Sequence, residues 1–206
     1  MRWDHPKRGN ISPTEFIPIA EMSDLIEPLG MFALERASGD LMDWERQTGE
    51  LPIFVSVNLS SAQLISSEIY NDIRAMLVKT QCDPKRIKLE LTESVVMENP
   101  EQARLMLEKL KDTGISLALD DFGTGYSSLA YLTRFPFDTI KLDKALVCDQ
   151  SDKKSVLLRS VVSMARGLDM QVVAEGIQTD QDAADLAMMG CDFGQSYLFG
   201  PPLGSE

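Results

Sequence analysis

Positive charge is scarce in this chain. Against 32 Asp and Glu stand 20 Lys and Arg, giving a formal net charge of -12 at pH 7 and a pI near 4.6. Phosphate backbones are gripped by clustered cations, so no DNA or RNA polymer is expected as a partner, and a small anionic substrate would need a metal ion between it and the protein. Histidine is nearly absent. His5 is the sole one, in the turn-like stretch "DHPKRG", which removes histidine clusters of the zinc type. The 3 cysteines, Cys82, Cys148 and Cys191, are widely spaced with no CxxC pair, a usage that fits free thiols in a reducing compartment. No apolar run approaches the roughly 20 residues needed to cross a bilayer. The opening "MRWDHPKRGN" also lacks a signal-peptide core. The expectation is a cytoplasmic location with no membrane contact by this segment, even if a longer parent protein is membrane-attached.

What is present is a core and a rhythm. With 206 residues, 44 % of them hydrophobic, the chain can bury the interior of one large globular unit spanning 1–206. Short runs rich in β-branched residues recur at "IFVSVNLS" (53–60), "IKLELTE" (87–93), "SLALDDF" (116–122), "TIKLDKAL" (139–146) and "QVVAEGI" (171–177), with a weaker one at "GQSYLFG" (194–200). Helical patterns separate them. "SPTE" places Ser12 as a cap, Pro13 in the first turn and Glu15 where it can answer the cap reciprocally, and "NPEQ" at 99–102 repeats the device. Gly114 and Gly190 stand where two of these helices should close. Strand and helix alternating at this spacing predict a parallel sheet.

At period two, each strand shows one apolar and one polar face. Val55, Val57 and Leu59 oppose Ser56, Asn58 and Ser60; Ile87, Leu89 and Leu91 oppose Lys88, Glu90 and Thr92; Leu117 and Leu119 oppose Ala118 and Asp120; Ile140 and Leu142 oppose Lys141 and Asp143. An ordinary buried parallel strand is apolar on both faces. The pattern therefore predicts a (β/α) barrel whose apolar faces meet the helices while Asn58, Glu90, Asp120, Lys141 and Glu175 converge near the C-terminal strand ends, where barrel enzymes keep their sites. With Asp121 added, four carboxylates crowd one place and require a compensating cation. Oxygen donors without thiolate or imidazole suit Mg2+ or Mn2+. Two chemistries stay open on the residues alone: in-line displacement at phosphorus between paired ions, and carbanion formation on a metal-bound carboxylate substrate.

Taken together, "DDFGTGYSSLAYL", "SVNLS", "LELTES", "IKLDK", "VVAEGI" and "GQSYLFG" resemble the EAL domain, the bacterial phosphodiesterase that opens cyclic di-GMP to linear pGpG, over essentially Arg2 to Leu203. The resemblance implies a TIM-like (β/α) barrel of the EAL type. It implies Asn58, Glu90, Asp120, Asp121 and Glu175 as ligands of two Mg2+ or Mn2+ ions, with Asp120 and Asp121 serving the paired site. Lys141 would hold the nucleophilic water, making Lys141, Glu175 and Asp121 the catalytic group. Arg2 and Gln195 would contact the substrate, and Glu93 would fix the loop "DFGTGYSS", which in the family couples dimerisation to the active site. A homodimer is accordingly expected, and sensory or GGDEF domains can precede such a unit in a parent protein. The signature Glu-Ala-Leu triplet is absent, as are the first strand, the first helix and most of the second strand of the family barrel, so about six of eight strands are expected. Gln178 stands where "AEGVE"-like members carry Glu, and Pro201 where "GRPL" members carry Arg. These departures feed an alternative expectation, an impaired module that binds cyclic di-GMP or a protein partner as a regulator.

Overall fold

The computed structural model describes residues 1–49, 54–123, 132–148 and 152–203, with side chains from 155 onward in the last stretch. All six expected strand segments enter one parallel sheet: β3 (Val55–Asn58), β4 (Ile87–Thr92), β5 (Ser116–Phe122), β6 (Thr139–Leu142), β7 (Gln171–Glu175) and β8 (Phe193–Gln195). They lie side by side in chain order. The sheet curls: Phe54, just ahead of β3, sets its ring 5.3 Å from that of Phe193 in β8, so the two edge strands approach one another at their N-terminal ends. The result is an open, TIM-like α/β half-barrel.

Alternation decides which side chains leave each face. Ile87, Leu89, Leu91, Leu117, Ile140, Leu142 and Val172 are fully buried and pack with helix residues such as Leu34, Leu41, Ile73, Leu107 and Leu110 in one core. Each such leucine or isoleucine contributes about 1.5–3 kcal/mol by leaving water. The helices present matching stripes. The long helix Ile26–Thr48 buries Ile26, Gly30, Leu34, Ser38 and Leu41, one residue per turn. Pro100–Lys111 buries Ala103, Leu107 and Leu110. Gly114 (φ 90°) follows the latter helix, and Gly190 (φ 103°) closes Asp180–Met189 in the left-handed form expected of it.

The turn-like stretch is a turn, set in a hairpin that the sequence reading did not include, and two other local features differ from that reading. "DHPKRG" is the turn of a separate antiparallel hairpin, β1 (Trp3–His5) with β2 (Gly9–Ile11), and His5 Nδ1 accepts the Lys7 and Arg8 amides. Ser12 caps its helix by accepting the Thr14 amide, but Glu15 approaches Arg8 at 3.8 Å instead of answering the cap. The "GQSYLFG" strand ends at Gln195, because the Ser196 hydroxyl accepts the Leu198 amide at 3.1 Å and turns the chain.

Candidate active site

Each strand carries its polar residue toward the C-terminal end of the curled sheet. Asn58 closes β3 and is paired in register with Glu90 of β4; Thr92 is paired with Asp120 of β5; Glu175 closes β7 opposite Gln195, which closes β8. Lys141 rises from β6 between them. Its Nζ lies 2.9 Å from Glu90 Oε2, 3.0 Å from Asp120 Oδ1 and 2.8 Å from Glu175 Oε1, joining three other strands through one ammonium group. Only 5 % of the Lys141 side chain meets solvent, so these are buried ion pairs rather than screened surface contacts. Asp143, its nearer acidic neighbour in sequence, is occupied otherwise, capping the next helix through the Ala145 amide.

Two consecutive aspartates cannot both face the cavity in a regular strand. Here β5 bulges. Leu119 pairs with Ile140 and Phe122 with Leu142, so two residues of β5 fill the space that β6 fills with Lys141 alone. Asp121 takes up the irregularity with φ 56°, and its amide donates to Asp120 Oδ1 at 3.0 Å. Aspartate tolerates this left-handed geometry better than most side chains. As a result, Asp120, Asp121 and Glu175 each offer an oxygen within 4.8 Å of the others, a group that could hold a metal ion.

The electrostatics follow from the crowding. Burial, then the Asp120 and Asp143 carboxylates, push the Asp121 carboxyl above its ordinary range. Burial likewise raises Glu175, against the lowering pull of Lys141. Burial opposes charge on Lys141 too, yet Glu90, the Glu175 hydrogen bond and Asp120 outweigh it and hold the ammonium above the usual lysine range.

Glu93 and Arg2 lie off the strands that carry this group. Glu93 opens the helix Glu93–Glu98 beyond the end of β4, and Arg2 is exposed ahead of β1. Most of the "DFGTGYSS" loop, from 124 onward, falls outside the described residues. Gln178 and Pro201 are both exposed, past β7 and β8. Lys88 shares the polar face of β4 with Glu90, a functional-looking position that its sequence alternation alone marks. It is 96 % buried below Glu90, with Nζ 4.1 Å from the Phe54 ring centroid and 3.2 Å from Gln171 Oε1, and burial pulls its proton affinity down.

An oxygen-rich mouth at the C-terminal ends of parallel strands is the arrangement of barrel enzymes, and its carboxylates could take a hard divalent ion. Comparison narrows it. The EAL domain family model matches residues 1–202, and this chain belongs to that family. It is 33 % identical over 208 residues to the bifunctional diguanylate cyclase/cyclic di-GMP phosphodiesterase MucR of Pseudomonas aeruginosa, covering 100 % of this chain and 30 % of that protein. It is 37 % identical over 205 residues to the cyclic di-GMP phosphodiesterase NbdA of the same organism, covering 98 % of this chain and 26 % of NbdA. The chain thus spans about a quarter to a third of these relatives. Among solved structures, the PaMucR phosphodiesterase in complex with c-di-GMP superposes with a TM-score of 0.91 at 33 % identity, covering 98 % of this chain and 82 % of that one. The EAL enzyme Bd1971 with cAMP and cyclic di-GMP bound gives 0.91 at 32 % identity, covering 99 % and 56 %.

Proposed function

We propose that this chain is the phosphodiesterase unit of a larger bacterial signalling protein, hydrolysing cyclic di-GMP to linear pGpG with a pair of Mg2+ or Mn2+ ions. The observation that carries the reading is the convergence of Glu90, Asp120 and Glu175, from three strands, on one buried ammonium beside Asp121. The donor set fits such ions. Carboxylate oxygens with the Asn58 amide are hard ligands, and the three ion pairs of Lys141 are themselves a measure of the cluster's pull on cations. Glu90, Asp120, Asp121, Glu175 and Asn58 would hold the ions, which supply charge withdrawal from the scissile phosphate.

The chain's own residues account for the rest. Lys141, kept charged by its neighbours, would release one of its three carboxylates to donate a hydrogen bond to the attacking water and orient it. Glu175 or Asp121 takes the water's proton as its oxygen bonds to phosphorus. The P–O3′ bond breaks, the departing O3′ takes up a proton from the carboxyl that received it or from solvent, the phosphate stays on the 5′ side, and the opened ring is pGpG. Arg2 supplies a cation and Gln195 an amide to the ligand, while Glu93 steadies the loop behind the aspartates. The unit works as a homodimer, which light scattering would read.

Incubation with cyclic di-GMP and Mg2+ or Mn2+, followed by chromatography for pGpG and calorimetry in parallel, tests the reading. Metal-dependent appearance of pGpG is the expected result. Binding without product would replace it with a regulatory module, and no binding would overturn both.

A further inference from the structure

We propose that Gly176 is a positioning residue: by having no side chain it lets the one-turn helix Lys144–Val147 lie against the end of β7, and that contact holds Glu175 and Gln195 at the mouth. The inference rests on the reading of Glu175 as a metal ligand. Gly176 follows Glu175 directly and has φ 69°, in the left-handed region. A Cβ placed on it would stand 2.4 Å from Lys144 Cβ and 3.4 Å from Lys144 Cα. Lys144 Cβ is fixed to the helix backbone, so it cannot swing aside as the tip of a long side chain could.

Both ends of the small helix engage this one residue. Lys144 abuts its α-carbon at the helix start, and at the helix end the Cys148 thiol donates to the Gly176 carbonyl at 3.2 Å. The Gly176 amide in turn donates to the Gln195 carbonyl at 2.9 Å, tying β7 to β8 where both present their polar ends. The helix begins three residues after Lys141, with Asp143 as its cap. Lys141 and Glu175, whose charged groups lie 2.8 Å apart, are therefore also fixed to one another through the backbone, by Lys144 seated on Gly176.

Gly176→Ala should push Glu175 away from Lys141. Metal ligands that lose their supporting contact typically lose about 10- to 100-fold in metal affinity, and Mn2+ calorimetry on Gly176→Ala should fall in that range. Adding Lys144→Gly removes the obstructing Cβ while leaving the φ strain, so the double variant should recover most of the affinity. A crystal structure of metal-free Gly176→Ala supplies a readout independent of metal: the Lys141–Glu175 contact should open beyond hydrogen-bond range and close again in the double variant. If the parent binds no Mn2+, the metal reading falls while this distance still decides the role of Gly176. An intact contact in Gly176→Ala, or no recovery in the double variant, would overturn the proposal. Should Gly176→Ala fail to fold, the double variant must fold; failure of both would equally overturn it.

Discussion

Lys141 and Glu90 are 51 residues apart in the chain and 2.9 Å apart in space, two buried charges from strands that are not neighbours in the sheet. The pair spans β5, whose bulge delivers both aspartates between them. A single ammonium offsets only part of the charge of Glu90, Asp120, Asp121 and Glu175, and the remaining negative charge governs the consequences below.

Removing the charge of Lys141 while keeping its length leaves the carboxylates buried without compensation. Breaking a buried ion pair from one side costs about 3–5 kcal/mol. Metal-free Lys141→Met should lose stability of that order by urea denaturation, and saturating Mn2+ should restore much of it by replacing the missing cation. Turnover should stay lost. Equal destabilisation with and without Mn2+ would show that Lys141 acts on packing alone.

Asp121 takes up the bulge of β5 and is also a proposed metal ligand, and substitution separates the two. A left-handed residue with a Cβ costs roughly 1–2 kcal/mol relative to glycine. Asp121→Gly should keep the fold within about 1 kcal/mol of the parent, yet weaken Mn2+ binding at least tenfold by calorimetry. Unchanged binding would remove Asp121 from the ligand set.

Burial raises the Asp121 and Glu175 carboxyls above their ordinary values, so in the folded metal-free protein they take up protons at a higher pH than free carboxylates do. Metal ions need the deprotonated forms. Mn2+ affinity should therefore begin to fall, as pH is lowered, before the ordinary carboxylate range is reached. The sign for stability is opposite. A raised carboxyl penalises the folded state above its folded pKa and ceases to do so below the unfolded value, so these two groups favour the metal-free fold as pH falls through that window. A calorimetric pH series with and without Mn2+ checks both directions.

Lys88 sits outside the catalytic group, desolvated between aromatic rings. Lys88→Met fills the same space without the cost of burying charge, and should change stability by less than about 1 kcal/mol or raise it. A loss of several kcal/mol on urea denaturation would instead show that its hydrogen bond to Gln171 and its seat over the Phe54 ring outweigh the cost of burying the charge.

Much of this was legible in the residues. Period-two polarity in "VSVN", "IKLELT" and "TIKL" reflects a physical necessity: one face must meet helices and the other must line a polar interior, so strand existence and the direction of Asn58, Glu90 and Lys141 followed together. Asp121 was harder. Alternation alone sends it outward, and what reverses it, a bulge with φ 56°, is a tertiary accommodation between β5 and β6 with no signature in "LDDF". The three-residue strands of the β1–β2 hairpin are too short to show a period. The partners of Lys141 also needed coordinates, because its nearest acid in sequence, Asp143, is taken by a helix cap. Glu93 and Arg2 entered only through family resemblance, since neither shares a strand face with the acidic group.

The central claim is that carboxylates from β4, β5 and β7 jointly bind divalent ions. Anomalous diffraction from crystals grown with Mn2+ tests it most directly. Two peaks are expected within coordination distance of Glu90, Asp120, Asp121 and Glu175, with Lys141 drawn away from at least one carboxylate it holds in the metal-free state. Peaks elsewhere, or none at saturating Mn2+ with the Lys141 ion pairs unchanged, would contradict it.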